Sequence, residues 1–120
     1  MKGAELEKLC MSFKGTTQDI KWGNDLCYLI GGKMYCTTDL QGSQRISFKT
    51  TPEDFSELIE RAGIIPAPYV ARYHWVMVEN PLALSSREWQ HYVQKSYEMV
   101  HDKLPKKALD KLSAKGRNKL

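Results

Sequence analysis

Apolar residues near the start of the chain recur at intervals of three and four positions, at Leu6, Leu9, Cys10 and Phe13. This spacing predicts an amphipathic helix over about residues 3–14 that ends near Gly15. The pattern then changes to the short alternating runs that are typical of strands, separated by turn-forming residues. We therefore predict four antiparallel strands, with the sequences DIKW, LCYLI, KMYCTT and RISFK.

The Gly31-Gly32 pair predicts a two-residue hairpin turn, because such a turn needs positive φ at both positions and glycine adopts it without steric cost. The turn sets the register, and pairing Ile30 with Lys33 places Cys27 opposite Cys36. We expect helices to cover the face formed by Cys27, Leu29, Met34 and Cys36. The other face is expected to stay open, and it carries Tyr28, Ile30, Lys33 and Tyr35.

Thr51 and Pro52 predict the start of a second helix, because an N-cap hydroxyl is followed by proline at the first helical position. Gly63 is expected to end this helix. Its buried stripe is expected to comprise Phe55, Leu58, Ile59 and Ala62. The following IIPAPYVA is expected to be extended, and YHWVMVE predicts a fifth strand.

Ser85 and Glu88 form a capping-box pattern at the start of a long helix. Its buried face is predicted to include Trp89, Val93, Ser96, Tyr97, Val100 and Leu104. Pro105 is expected to kink this helix or restart it as a short basic helix through Leu112. The remaining SAKGRNKL is expected to fray.

The composition is that of an ordinary folded protein, since 42% of the 120 residues are apolar and 27% are charged. We predict one domain over residues 1–112 and a basic tail over 113–120. The chain has no apolar run of the roughly 18 residues that a membrane span needs and no apolar signal stretch, so we expect a cytoplasmic protein without membrane contact.

The net charge of +4 is uneven, because residues 103–120 carry +6 and residues 1–102 carry −2. Attraction to nucleic acid therefore depends on the tail or on a local patch.

Four segments, in this order, resemble the MmcQ/YjbR family: GGKMYC, ISFKTTPE, RAGIIPAPYVARYHWVMVE and SYEMVHDKLPKK. The resemblance covers nearly the whole chain. It implies a frataxin-like α+β fold of order α-ββββ-α-β-α, in which N-terminal and C-terminal helices flank an antiparallel sheet of about five strands. It also implies a non-enzymatic protein that binds DNA, mainly through the charge of the phosphate backbone.

Candidate nucleic-acid contacts lie on and around the predicted open face: Lys33, Arg45, Lys49, Arg72, Tyr28 and Tyr35. Basic side chains interleaved with aromatic rings can hold phosphates while the rings stack on bases. The same pattern also fits a solvated sheet face whose lysines prevent edge-to-edge pairing. The tail is either a phosphate-binding arm or the solvated end of an amphipathic helix. Its possible contacts are Lys106, Lys107 and Lys111, followed by Lys115, Arg117 and Lys119.

Metal-binding and redox functions have weaker support in the sequence. Cys27 and Cys36, if opposite, could form a disulfide or bind a thiophilic metal, but cytosolic cysteines more often serve as small buried hydrophobes. A zinc site would need imidazoles nearby, and the histidines are too far apart along the predicted elements: His74, His91 and His101. A frataxin-like metal-handling protein is a third and weaker alternative, because the acids of the first helix and strand are few and are interrupted by lysine.

Known enzyme motifs are absent from the sequence, which has no GxSxG, P-loop, HExxH or dinucleotide-binding pattern. We therefore expect neither catalysis nor a cofactor or resident metal. The alternative function is that of a protein-interaction module, which accepts a partner on the open sheet face or near PAPYVARYHW. A monomer or a weak homodimer is expected.

Overall fold

Helices and strands follow one another in the order that the resemblance implies, with one additional strand and one additional helix at the C-terminal end. The computed structural model describes residues 1–40 and 44–118, with side chains as far as Leu112. Within these residues the α-helices are α1 (Gly3–Met11), α2 (Pro52–Leu58), α3 (Ser86–Asp102) and α4 (Lys106–Asn118). The strands are β1 (Thr17–Lys21), β2 (Asp25–Ile30), β3 (Lys33–Asp39), β4 (Ile46–Lys49), β5 (Ile64–Pro66) and β6 (Trp75–Val78).

The described strands form one antiparallel sheet in the order β1-β2-β3-β4-β6-β5. The predicted α+β class is thus confirmed, with six described strands where the sequence predicts about five. The additional strand is β5, which lies at the sheet edge and pairs Ile64 with Val78. An edge strand keeps one side free of ladder hydrogen bonds, so Pro66 at its end does not interrupt the sheet.

The register of the β2–β3 hairpin follows the prediction for the first two pairs beyond the glycine turn and then shifts by one residue. Tyr28 lies opposite Cys36, so Tyr35 is the extra residue of a β-bulge. Cys27 lies opposite Thr37, and the prediction that Cys27 faces Cys36 is wrong. The three cysteines are buried free thiols. Because Cys27 and Cys36 are not opposite each other, the register does not support a cross-strand disulfide between them.

The helices cover the side of the hairpin that was predicted to be open, although Cys36 is buried in the core cluster as predicted. Tyr28, Ile30 and Tyr35 are fully buried in the core, whereas Met34 lines a groove on the other side of the sheet. The prediction that Tyr28 and Tyr35 line the open face is therefore wrong. Because both sets of alternating residues in this hairpin are largely apolar, the pattern alone does not determine which set the helices cover.

Helix α3 satisfies the backbone polar groups next to the bulge. The Ser96 hydroxyl donates a hydrogen bond to the Tyr35 carbonyl oxygen at 2.6 Å and accepts one from the backbone N–H of Lys49 at 3.0 Å. Ser96 itself is fully buried. Since buried polar groups are costly without partners, this serine fixes α3 against both β3 and β4.

Both predicted helix starts are confirmed. Thr51 Oγ1 accepts a hydrogen bond from the Asp54 backbone N–H at 3.1 Å and so caps α2. Ser85 and Glu88 form the predicted reciprocal capping box of α3, with distances of 3.1 and 3.0 Å. These caps are local signals, because each depends on residues only three positions apart.

The helix ends differ from the predictions. Helix α1 ends at Met11, and α2 ends at Leu58, which leaves Ala62 exposed outside it. Helix α4 continues to Asn118, so the predicted end of this helix at Leu112 is wrong. Residues 119 and 120, and residues 41–43 of the predicted turn DLQGS, lie outside the described residues. None of the described helices is long and apolar enough to cross a membrane.

The glycine turn packs directly against the junction of α3 and α4. A Cβ atom at Gly31 would lie 2.7 Å from Leu104 Cδ1, so a larger residue fits there only if the Leu104 side chain moves. Leu104 is buried and belongs to the core cluster. This contact holds the β2–β3 turn, and with it Lys33, beside the end of α3.

Candidate functional site

The sheet face opposite the helices carries a groove of about 590 Å³, which we call the aromatic groove. Its floor comes from alternate residues of β3, β4 and β6, because the residues between them point into the core. The turn after β5 forms one wall. The lining residues are Trp22, Asp25, Met34, Thr37, Ser47, Ala67, Pro68, Tyr69, Val70, Trp75 and Met77.

Two aromatic side chains that line the aromatic groove are exposed to solvent. Trp22 is 72% exposed and Tyr69 is 99% exposed. Both have a left-handed backbone, with φ of 55° and 69°. That conformation is uncommon for bulky residues and costs roughly 1–2 kcal/mol. Because neither ring gains burial in return, the combination of strain and exposure marks a candidate binding surface.

A second cavity, of about 510 Å³, adjoins the aromatic groove, and we call it the lysine pocket. Met34 and Trp75 line both cavities. The pocket is lined by three lysines from three separate elements: Lys33 begins β3, Lys49 ends β4, and Lys103 is the C-cap of α3. Cations from distant parts of the chain therefore meet beside exposed aromatic rings.

Three positive charges meet in the lysine pocket. Among the residues that the structure describes, no carboxylate forms an ion pair with Lys33, Lys49 or Lys103. The Lys49 ammonium instead donates a hydrogen bond to the Tyr73 carbonyl oxygen at 3.0 Å. Burial, and then the charge of Lys103, lower the pKa of Lys49. An anion in the pocket would offset this repulsion between lysines.

The basic residues predicted from the sequence separate into two groups. Lys33 and Lys49 meet in the lysine pocket. Arg72 lies beside it, because its guanidinium stacks on the ring of Tyr73 at 4.8 Å and Tyr73 lines the pocket. Arg45 lines neither cavity, and its guanidinium lies 3.8 Å from the carboxylate of Glu79.

The tyrosines predicted to stack on bases lie instead in the core. Tyr28 and Tyr35 are both 0% exposed, and burial raises the pKa of both phenols. The Tyr35 hydroxyl donates a hydrogen bond to the Cys10 carbonyl oxygen at 3.3 Å, so its polar end is used within the fold. Aromatic rings are nevertheless available on the open face, at Trp22 and Tyr69.

Sequence reasoning missed four residues of the site, namely Trp22, Tyr69, Trp75 and Lys103. For Trp22 a local signal existed, because a tryptophan directly before Gly23 in a short turn between strands has few core residues to pack against. Tyr69 carries a similar signal, since it follows proline in a loop. Lys103 has none, because its place in the pocket depends on how the end of α3 packs on the glycine turn.

Two of the tail candidates line a third cavity, of about 520 Å³. Lys107 and Lys111 project into it from α4, opposite Gly31 and Gly32. Lys106 is exposed on the same helix and does not line this cavity. The remaining tail candidates lie outside the described side chains: Lys115, Arg117 and Lys119.

Two of the buried thiols, those of Cys27 and Cys36, have a raised pKa, which favours the protonated form. A hydrogen bond with Cys10, and then burial, raise the pKa of the Cys36 thiol, while burial raises that of Cys27. Metals bind the thiolate, which these shifts disfavour. Over residues 1–40 and 44–118, no group of three His, Cys, Asp or Glu side chains is arranged to hold a metal ion.

Comparison with known proteins agrees with this architecture. A family model described as YjbR matches residues 11–99. The chain is similar to a Deinococcus radiodurans protein with the domain DUF419, with a TM-score of 0.82 and 23% identity over 94% of this chain and 89% of that one. It is also similar to a protein from Pseudomonas syringae, with a TM-score of 0.68 and 19% identity over 83% and 99% of the two chains. No curated protein sequence matches. At these identities the structural likeness concerns the fold alone.

Proposed function

The chain belongs to the YjbR family, and we propose that it binds single-stranded nucleic acid, DNA in the first place, across the aromatic groove and the lysine pocket. The proposal depends on one observation, the convergence of Lys33, Lys49 and Lys103 on a pocket that shares two lining residues with the groove. In the proposed complex, phosphates occupy the lysine pocket and bases stack on the exposed rings. The protein acts as a binding module and not as an enzyme.

Exposed rings favour a single strand over a duplex as the ligand. A base can stack on Trp22 or Tyr69 only if its face is free, whereas the bases of a duplex are stacked on one another. Each stacked base contributes about 1–3 kcal/mol in single-strand binding proteins. Stacking accepts any base, so we expect little sequence preference.

The distribution of charge confines the proposed interface to this local patch. Residues 1–102 carry −2 overall, so the body of the protein does not attract phosphate over its whole surface. Lys33, Lys49 and Lys103 therefore supply a local attraction for phosphate, and residues 103–120, which include Lys103, add the remaining positive charge. For a single strand, each neutralised phosphate lowers the logarithm of the binding constant by about 0.7 for a tenfold rise in salt.

Fluorescence anisotropy with a labelled oligothymidine, and with a duplex of the same length, tests the proposal. We expect the single strand to bind more tightly, and its affinity to fall as salt is raised. Lys49→Glu is expected to weaken binding on the order of tenfold, because it reverses a charge that contacts phosphate. Trp22→Ala is expected to cost about 1–3 kcal/mol of binding free energy.

Lys8→Glu provides the matched control. It makes the same change of charge at an exposed position of α1, on the helix-covered side of the sheet. We expect its effect on affinity to be within about twofold, since charges farther apart than the Debye length are largely screened. Equal losses from Lys49→Glu and Lys8→Glu would mean that the lysine pocket is not the binding site, and the proposal would fail.

A peptide is the second candidate ligand of the aromatic groove. Met34 and Met77 give the floor of the groove flexible apolar side chains, which suit an apolar partner. A peptide held there would need the groove but not the lysine pocket. Its affinity would be nearly independent of salt and of Lys49→Glu, which is the opposite of the behaviour expected for nucleic acid.

A further inference from the structure

We infer that a nucleic-acid strand held in the lysine pocket continues over the Gly31-Gly32 turn to a second phosphate site on α4, formed by Lys107 and Lys111. The inference rests on the proposed function. It adds a binding site to that function, and hence a minimum length of strand for full affinity. We call the cavity that contains this second site the turn cavity.

The turn cavity and the lysine pocket adjoin each other at the β2–β3 turn. The turn cavity, of about 520 Å³, is lined by the Gly31-Gly32 turn and by Lys107 and Lys111 of α4. Pro105 lines both cavities, and Lys33 of the lysine pocket directly follows the turn. A strand that leaves the lysine pocket in this direction therefore reaches the turn cavity after crossing the backbone of the turn.

The glycine turn leaves room for a strand to cross it. A Cβ atom added at Gly32 would meet no atom within 4 Å, so the space beside it is open. At Gly31 the corresponding space is filled by the side chain of Leu104. A ligand can approach the backbone closely where a side chain is missing, and the Gly32 side of the turn offers that approach.

Lys107 and Lys111 form a pair of neighbouring cations. They are four positions apart on α4, so they lie on the same helix face and repel each other. Both are exposed, and in the described part of the chain neither has a carboxylate within ion-pair distance, although Asp110 is close in sequence. A phosphate between them would offset this repulsion.

The apolar residues of α4 fix its rotation and therefore the position of its lysines. Ala108, Leu109 and Leu112 pack against the core cluster. The approach is close, because a Cβ atom at Gly15 would lie 2.9 Å from Leu112 Cδ2. The lysines therefore belong to a docked helix whose orientation is set before any ligand binds.

Anisotropy titrations of the full chain with oligothymidines of about four and about twelve nucleotides, within the range of site sizes of single-strand binders, test the inference. Lys107→Glu and Lys111→Glu are each expected to weaken binding of the longer strand on the order of fivefold, and to reduce its salt slope by about 0.7. Binding of the shorter strand is expected to stay within about twofold of the unmodified protein, because it fills only the first two cavities.

Lys106→Glu is the matched control for this experiment. It makes the same change of charge at the neighbouring residue of α4, which is exposed but does not line the turn cavity. Lys107→Gln removes the charge without reversing it, and it replaces Lys107→Glu if circular dichroism shows that the latter is not folded. The glutamine variant is expected to weaken binding of the longer strand only, and by a smaller factor than Lys107→Glu does.

Equal effects of Lys106→Glu and Lys107→Glu on the longer strand would overturn the inference. Equal effects of Lys107→Glu on both lengths would also overturn it, since the second site would then not depend on a continuing strand. If Lys49→Glu weakens binding of both the shorter and the longer strand, and the α4 variants weaken binding of neither, the proposed function stands and this inference alone fails. If neither length binds at low salt, both fail.

Discussion

The two faces of the sheet are built from the same strands but differ in what their side chains do. On the helix-covered face, alternate residues are large, apolar and fully buried: Tyr28, Ile30, Phe48, Val76 and Val78. On the open face, residues between them line the aromatic groove, and the lysine pocket lies next to it, where the end of α3 meets the sheet. A sheet with helices on one side only can therefore encode stability and binding at alternate positions of one sequence.

A substitution on the helix-covered face is expected to have the largest effect. Phe48 is fully buried, and its ring centroid lies 6.2 Å from those of Trp89 and Tyr92. Phe48→Ala removes these contacts and leaves a cavity, so we expect the free energy of unfolding to fall by about 3–5 kcal/mol. Denaturant unfolding monitored by tryptophan fluorescence measures the change.

Ser47→Ala is the control for this prediction, because Ser47 is the adjacent residue of β4 and lines the aromatic groove. We expect it to change the free energy of unfolding by less than about 1 kcal/mol. A loss as large as that from Phe48→Ala would contradict the assignment of the two residues to different faces.

Ser96→Ala tests how helix α3 is fixed to strands β3 and β4 on the helix-covered face. The substitution leaves the Tyr35 carbonyl and the Lys49 N–H without their hydrogen-bond partner. We expect it to lower the free energy of unfolding by about 1–3 kcal/mol, the cost of a buried polar group without a partner. Ser86→Ala makes the same change at an exposed position of α3 and is expected to be nearly neutral. Similar values for the two variants in chemical denaturation would rule out this role of Ser96.

Trp22 allows binding and stability to be separated on the open face. Trp22→Gly and Trp22→Ala both remove the ring, so both are expected to lose about 1–3 kcal/mol of binding free energy for each stacked base. Glycine also relieves the left-handed strain at φ 55°, and alanine does not. We therefore expect Trp22→Gly to unfold with a free energy about 0.5–1 kcal/mol higher than Trp22→Ala. A glycine variant no more stable than the alanine variant would show that no strain is stored at this turn.

Local signals were sufficient to predict the order of the elements other than β5. The Thr51 cap, the Ser85–Glu88 capping box and the glycine turn each involve residues a few positions apart, and all three are confirmed. The covered face of the β2–β3 hairpin was not predictable in this way. Both sets of alternating residues are largely apolar, and the bulge at Tyr35 has no local signal, since its carbonyl oxygen accepts a hydrogen bond from Ser96, 61 positions further along the chain.

The candidate site was only partly predictable for the same reason. Lys33 and Lys49 lie on strands of one sheet, and the strand pattern was sufficient to predict both as candidate contacts. Lys103 joins them because Leu104 packs on Gly31, a contact between side chain and backbone that no sequence pattern marks. Tertiary packing thus completes the lysine pocket, whereas local structure supplies its first two members.

The pH dependence of binding that arises from Lys49 is expected to be the smallest of these effects. It concerns the affinity for nucleic acid on the open face. Burial, and then the charge of Lys103, lower the pKa of Lys49 below its ordinary value of 10.5. A phosphate in the lysine pocket favours the charged ammonium and raises this pKa again. Binding is therefore coupled to proton uptake, and the affinity for a single strand is expected to weaken as the pH rises through the lowered pKa.

The stability of the free protein is expected to depend on pH with the opposite sign. Between the lowered pKa of Lys49 and 10.5, the unfolded chain binds more protons than the folded one, so the free energy of unfolding contributed by this group rises with pH. Lys49→Arg removes both dependences, because arginine stays charged throughout this range. Anisotropy titrations from neutral to alkaline pH compare the two proteins. If both lose affinity in parallel, the titration of Lys49 does not control binding, and the expected coupling of binding to proton uptake fails.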